Sequence, residues 1–219
     1  MLQAGSSNAA TIKGLNTLKL PGLTRSTIQV EEFGVDFAPT VTGGGSYGTI
    51  TASGNLVVGD TTGQDLLKTY LTANTLKTDI RFYLNYTTGL FLTCDLANDA
   101  NAGFYVVRYE PGQADKNGIF PFDCEFAVAG QTAYFNTTYT ADTIALVDNA
   151  GADSTITDSA SGFVTAGFVA GQTLIIEGST ADDGQYLIKT VAAGVITLDG
   201  EVIGTGQIAG TDITLHGGK

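Results

Sequence analysis

The segment Thr62-Gly63-Gln64-Asp65-Leu66-Leu67-Lys68-Thr69-Tyr70-Leu71-Thr72-Ala73-Asn74 decides the fold class, because it is helix-patterned in a chain otherwise patterned for strands. Leu66, Leu67, Tyr70 and Leu71 fall at i, i+1, i+4 and i+5, which places them on one face at 3.6 residues per turn. Thr62 and Asp65 have the spacing of a capping box, in which hydroxyl and carboxylate satisfy orphan amides of the first turn. Asn74 is a suitable stop. A helix of about ten residues is marginal alone, so its apolar face must cover a sheet. The expectation is a helix over 62–74 whose role is structural, carried by Leu66, Leu67, Tyr70 and Leu71.

Outward from that segment the chain reads as strands. Residues 1–24 form an extended arm with a brief strand around 17–20, and a strand follows at 27–37. Pro39, Thr40, Val41, Thr42, Gly43, Gly44, Gly45 and Ser46 then read as a mobile loop, since glycine accepts positive φ and loses much entropy when fixed. Strands near 47–52 and 55–58 lead into the helix. After it, 79–86 and 90–96 alternate apolar and polar residues, with Cys94 on the side of Leu90 and Leu92. A strand at 103–109 is followed by a turn-rich excursion at 110–118. The clearest period-two pattern is 120–128, with Phe122, Cys124, Phe126 and Val128 on one side and Asp123 and Glu125 on the other.

Composition agrees with a folded β protein. The 29 glycines with only 4 prolines indicate tight turns between short strands, and 43% hydrophobic content is ample for a core. The net charge of -12 is uneven: residues 1–140 carry 12 acidic against 8 basic side chains, and 141–219 carry 10 against 2. Aromatic residues also become sparse beyond 136–141, so the domain boundary is placed there. Residues 1–140 form one domain and 141–219 a small acidic all-β domain, with strands at 143–147, 154–157, 173–177, 186–191, 195–198 and 212–215. An acidic chain without clustered Lys and Arg is unsuited to phosphate clamping on nucleic acid. No stretch approaches the roughly 18 apolar residues of a membrane span, and the start lacks a signal-peptide pattern, so a reducing cytoplasm is expected. Cys94 and Cys124 accordingly read as buried reduced thiols.

Chemistry-bearing constellations are sparse. His216 is the single histidine and reads as a solvated tail residue, which leaves no positioned imidazole base and no usual structural zinc site. Asp148, Asp153 and Asp158, or Asp182 and Asp183, offer hard oxygen ligands without EF-hand spacing, so turn capping is the plainer role. Glu31 and Glu32 point to opposite faces of a strand and cannot flank one bond, while Asp123 and Glu125 share a face and read as solvent-facing charges. The aromatic residues alternate as a core does, and without tryptophan they make a poor sugar platform. No cofactor, no metal and no enzymatic activity are expected.

The strand and glycine run at 27–45, the entry Asp60-Thr61-Thr62-Gly63-Gln64 into the lone helix, FYLNYTTGLFLTCD (82–95) and DCEFAVAGQTAYF (123–135) together resemble the tail tube, or major tail, proteins of long-tailed (siphovirus-like) bacteriophages. The resemblance covers roughly residues 20–138 as a diffuse pattern without a short diagnostic motif. Residues 162–191 look like a small β module appended to phage virion proteins. The resemblance implies a mainly β fold: a tail-tube β-sandwich or barrel with one flanking α-helix, plus the small all-β C-terminal domain on the tube exterior. It implies a non-enzymatic virion protein, synthesised in the host bacterial cytoplasm. That protein self-assembles into stacked hexameric rings, a conduit for genome ejection through which double-stranded DNA passes without specific binding. Its partners are further copies of itself and the tape measure, tail terminator and distal tail proteins, with no membrane. Residues 39–46 and the N-terminal arm are then the ring-stacking candidates. The alternative is a glycan- or host-surface-binding β module.

Overall fold

The computed structural model describes all residues except 1, 5–9, 30–39, 58, 62 and 114–119. The protein is mainly β. The strands are β1 (Leu2–Ala4), β2 (Ala10–Ile12), β3 (Leu15–Lys19), β4 (Leu23–Gln29), β5 (Thr40–Tyr47) and β6 (Thr49–Asn55), followed by helix α1 (Gln64–Ala73). Then come β7 (Ile80–Asn85), β8 (Leu90–Cys94), β9 (Gly103–Pro111), β10 (Pro121–Ala129), β11 (Thr132–Ala141), β12 (Ile144–Val147) and β13 (Thr155–Asp158). A short helix α2 (Phe163–Ala166) precedes β14 (Thr173–Glu177), β15 (Gly184–Ala192), β16 (Val195–Leu198) and β17 (Ile213–Gly218).

Two sheets enclose the first core. A four-stranded antiparallel sheet runs β3-β6-β10-β9, and facing it is one end of a long sheet in the order β12-β13-β16-β15-β14-β17-β11-β8-β7-β1-β2. Period-two alternation turns Ile50 and Ala52, Phe104 and Val106, and Phe122, Cys124 and Phe126 inward from the first sheet, to meet Ile80, Phe82, Leu92 and Cys94 from the second. Phe82 is the cross-sheet contact, edge-to-face with both Phe104 and Phe126 at 5.1 Å between ring centroids. Each such pair contributes about 0.5–1.5 kcal/mol beyond the area it buries.

Helix α1 closes this core against β9. Leu67 is fully buried and Leu66, Tyr70 and Leu71 pack around the same cluster. Asn74 ends the helix in the left-handed conformation (φ 47°), its N–H donating to the carbonyls of Tyr70 and Leu71. The start differs from the capping box. Gly63 is the N-cap and no side chain of that residue caps the helix; instead the Asp60 carboxylate accepts from the Gln64 N–H at 3.1 Å. Asp65 stands exposed in the first turn, and Thr62 lies outside the described residues. An upstream carboxylate reaches the orphan amides because the Asp60 carbonyl already accepts from the Gly63 and Asp65 N–H groups and folds the entry back on itself. Gln64 then ties the helix to the sheet: its amide donates to the carbonyls of Lys13 and Asn55 and accepts from the Val57 N–H. The approach of β3 to β6 needs glycine at both Gly14 and Gly54, since a Cβ on Gly54 would lie 2.0 Å from the Gly14 carbonyl oxygen.

A second core gathers Ile144, Leu146, Ile156, Leu174, Ile176, Ile188, Ile196, Leu198, Ile213 and Leu215, with Phe163 and Phe168 from around α2. This four-residue helix departs from the all-β expectation for the region. It starts directly after its N-cap Gly162 and stops at Gly167 in the left-handed conformation (φ 98°). The long sheet is continuous between the two cores through β11, which pairs with β8 over Thr132 to Phe135 and with β17 over Phe135 to Ala141. β17 continues past residue 215, where the sequence pattern stops, because Gly217 and Gly218 let it thread between aromatic rings. A Cβ at Gly218 would sit 2.7 Å from the Phe135 ring, and one at Gly217 2.9 Å from the Phe168 ring.

Candidate assembly surface

The outward face of the four-stranded sheet is polar. Register places Lys19, Thr51, Glu125 and Arg108 in one cross-strand row and Thr17, Ser53, Asp123 and Glu110 in the next. The bulge between Glu125 and Phe126 inserts Val107 into β9 and keeps Arg108 and Glu110 outward. Arg108 lies 3.4 Å from Glu125 and 3.6 Å from Glu110. Asp123 and Glu125 are therefore the outward-facing strand charges that alternation indicates, and the second is held in an ion pair. Both edges of this sheet are open among the described residues. Among the described residues no strand pairs with the outer side of β3, and β9 is met only at its start, where Lys77 and Phe104 exchange backbone hydrogen bonds at 2.9 and 2.8 Å.

The second feature is a ribbon. Thr40 to Tyr47 is strand, not loop: β5 pairs antiparallel with β4 from Leu23↔Tyr47 to Gln29↔Thr40. The glycine run adopts the extended ladder because paired amides offset the entropy that glycine loses, and the shift between Arg25 and Thr27 absorbs an irregularity in register. Pro39, Glu31 and Glu32 lie outside the described residues, as do 30–37 of the strand read at 27–37. The ribbon pairs with no other sheet among the described residues. Leu23 at its base is 62% exposed. An isolated two-stranded ribbon is marginal in water, so a surface that covers it would add to its stability.

The join between the two cores is dense in hydrogen bonds. The Glu177 carboxylate on β14 forms a bidentate ion pair with Arg81 on β7, and His216 Nε2 lies 3.3 Å from Glu177 Oε2. His216 Nδ1 lies 2.9 Å from Thr138 Oγ1, and its ring stands edge-to-face on Phe91. His216 is thus 8% exposed and part of a wall, not a solvated tail residue. The terminal strand is inserted between β11 and β14, which proximity to the chain end does not reveal. Burial pushes the Glu177 carboxyl up, but hydrogen bonds from His216 and Arg81 and the Arg81 charge outweigh it, leaving the group at about 2. Nearby, Thr173 donates to Asp95 at 2.7 Å, and Gln185 links the Leu96 N–H to the Cys94 carbonyl.

The acidic loop residues act as local caps. Asp158 accepts from Tyr139, Thr143, Ala160 and Gly162, and Asp182 from the amides of Gly204 and Thr205. Asp153 pairs with Lys189 at 2.6 Å, while Asp148 and Asp183 are exposed. Among the described residues no group of three or more His, Cys, Asp or Glu side chains is placed to hold a metal ion. No described helix is long and apolar enough to cross a membrane. Cys94 and Cys124 are free and buried.

No protein-family model matches the sequence, and no curated protein matches it. Solved structures similar to the chain include tail and baseplate proteins. The tail of an empty gene transfer agent particle, refined with C6 symmetry, aligns with a TM-score of 0.43 and 15% identity over 60% of this chain and 91% of that one. The sixfold-symmetrised baseplate of the anti-feeding prophage aligns at 0.41 and 12% identity, over 60% and 89%. The Dit protein of phage SPP1 aligns at 0.29 and 13% identity, over 94% and 92%.

Sequence reasoning missed two parts of this surface. Lys19 and Arg108 received no role, although their places next to Thr17 and Glu110 on alternating strands mark the outward face. The β4–β5 pairing was hidden because a triple glycine lowers strand propensity and a ladder partner cannot be read from one strand.

Proposed function

We propose that this chain is a structural, non-enzymatic protein of a bacteriophage tail, whose copies assemble into stacked hexameric rings that form the tail tube. The observation that carries the reading is the four-stranded antiparallel sheet with its apolar face on the core, a polar outward face and two unpaired edges. Open edges are an aggregation hazard unless they are paired. Copies related by rotation pair β9 of one with β3 of the next, and a closed ring leaves no edge. Six such sheets joined edge to edge make a barrel whose lumen is lined by the two outward rows, Lys19, Thr51, Glu125 and Arg108, and Thr17, Ser53, Asp123 and Glu110, in which Arg108 is taken up by Glu125 and Glu110. A lining of hydroxyls and three carboxylates, with one of its two cations already ion-paired, lets double-stranded DNA slide past without clustered phosphate clamps, as genome ejection requires.

In this reading the β4–β5 ribbon, with Thr40 to Ser46 on β5, contacts the next ring; the N-terminal residues expected as an extended arm are instead strands β1 and β2 of the long sheet and β3 of the four-stranded sheet. Helix α1 braces the sheet from inside so that its edges stay free. Residues 1–140 build the tube and 141–219 form the acidic module on its exterior. The tape measure, tail terminator and distal tail proteins meet the tube at its core and ends. Assembly takes place in the bacterial cytoplasm and the product resides in the virion tail.

Sedimentation velocity over a dilution series tests this directly. A species of hexamer mass that grows into larger stacks with concentration is expected. Persistent monomers combined with saturable glycan binding would sink the proposal in favour of a surface-binding module.

A further inference from the structure

The two open edges of the four-stranded sheet are electrically unlike, which bears on how one copy recognises the next; the inference rests on the ring-forming reading above. Edge strand β3 presents Lys19, exposed and with no ion pair among the described residues. The opposite edge strand β9 presents Arg108 and Glu110, and its inner neighbour β10 adds Asp123 and Glu125, so that side carries three carboxylates against one guanidinium. That guanidinium is shared by Glu125 and Glu110, and the Glu110 side chain is the most open of the three ion-paired groups at 64% exposed. The cationic β3 edge and the carboxylate-rich β9–β10 side complement one another for a head-to-tail contact between identical copies, with Glu110 the carboxylate on the edge strand itself.

Strand direction and alternation restrict that contact. The four strands alternate in direction, so a neighbour brought up by rotation presents its β3 antiparallel to β9 and extends the ladder without reversing the face. Only offsets of an even number of residues keep the outward side chains together. In the unshifted register the incoming Lys19 stands opposite Arg108, a like-charge pair, with Glu110 on the diagonal. An offset of two residues sets it opposite Glu110. Directly opposed Cβ atoms lie about 4.5–5.5 Å apart and diagonal neighbours about 7–8 Å, and long side chains span both.

We infer that Lys19 of one copy forms an ion pair with Glu110 of the next across the β3–β9 seam, and that this pair selects the register in which the ring closes. The partner is a second copy of this chain, recognised by one ammonium and one carboxylate at every seam. Because the contact repeats around the ring, a change at one position acts at each seam at once.

Charge exchange tests it. Lys19→Glu and Glu110→Lys are each expected to raise the concentration needed for assembly by roughly tenfold or more, since each sets like charges across the seam. The double variant Lys19→Glu/Glu110→Lys is expected to return close to the parent. Both side chains are exposed, so melting midpoints should not move; if a reversal does lower one, Lys19→Gln and Glu110→Gln serve instead, each weakening assembly without rescue in combination. Single reversals that assemble as the parent does, or a double variant no better than the worse single, overturn the ion pair and leave the ring reading intact. A parent that stays monomeric at every concentration overturns both.

Discussion

At the scale of single residues, Glu177 decides most. It is the anion between Arg81 and His216, and removing it leaves a guanidinium buried to 12% exposure without its counter-charge. Glu177→Gln is expected to lose about 3–5 kcal/mol at neutral pH, the usual result of stripping one partner from a buried pair. The pH dependence has a definite sign. The folded carboxyl sits at about 2 against an ordinary 4.5, so its contribution is fully present above pH 4.5 and is lost as pH falls towards 2. Urea unfolding of parent and variant at pH 7, 4 and 2 should show a gap that narrows across that window; a gap that is constant with pH contradicts this. The two thiols give a second test. Burial pushes Cys94 up to about 11 and Cys124 up to about 12, so neither is a thiolate at pH 8. Labelling by a disulfide reagent should track global unfolding for both, and a fast-labelling native thiol is the opposing result.

Among secondary-structure elements, α1 is the clearest case of sequence dictating structure. Its apolar stripe and its Asn74 stop follow from 3.6 periodicity and from the tolerance of asparagine for positive φ, and both are present. Leu67→Ala is expected to destabilise by about 2–5 kcal/mol, because Leu67 is fully enclosed and its truncation leaves a cavity in the core. Replacing Leu67 and Leu71 together with Asp should abolish folding as well as assembly; a soluble double variant with native circular dichroism contradicts the role given to the helix. Asp60→Ala should cost about 0.5–2 kcal/mol as the loss of the real cap, whereas Asp65→Ala on the exposed first turn should shift the urea midpoint little. The sequence made β7, β8, β10, β14 and β16 legible because apolar alternation is a local signal. It missed the cap by Asp60, the β4–β5 ladder and the final turn-in of β17, since each depends on what lies across the fold. Gly217 and Gly218 look like a flexible end until Phe135 and Phe168 are beside them.

For the whole molecule, the long sheet runs without a break from one core to the other through β11 and β17. Phe91 and Phe135 stack at 5.1 Å, covered by Ile175 of β14 and by His216 of β17. A fragment ending at Ala141 loses β17 from half of β11 and uncovers that stack. It is expected to be recovered as aggregate, not as a free tube domain, and a monomeric fragment with native-like hydrogen-exchange protection in β8 and β11 contradicts this. The charge of the outward face of the four-stranded sheet was not legible in the net charge of -12, because most of the excess lies in residues 141–219 and that face mixes both signs. The central claim is that the open edges of that sheet pair between copies. Cryo-electron microscopy of the concentrated protein tests it most directly. Expected are sixfold rings, stacked into tubes, with β9 of each subunit hydrogen-bonded to β3 of its neighbour and Thr51, Asp123 and Glu125 facing the lumen. Rings joined through any other surface, or monomers throughout, would contradict it.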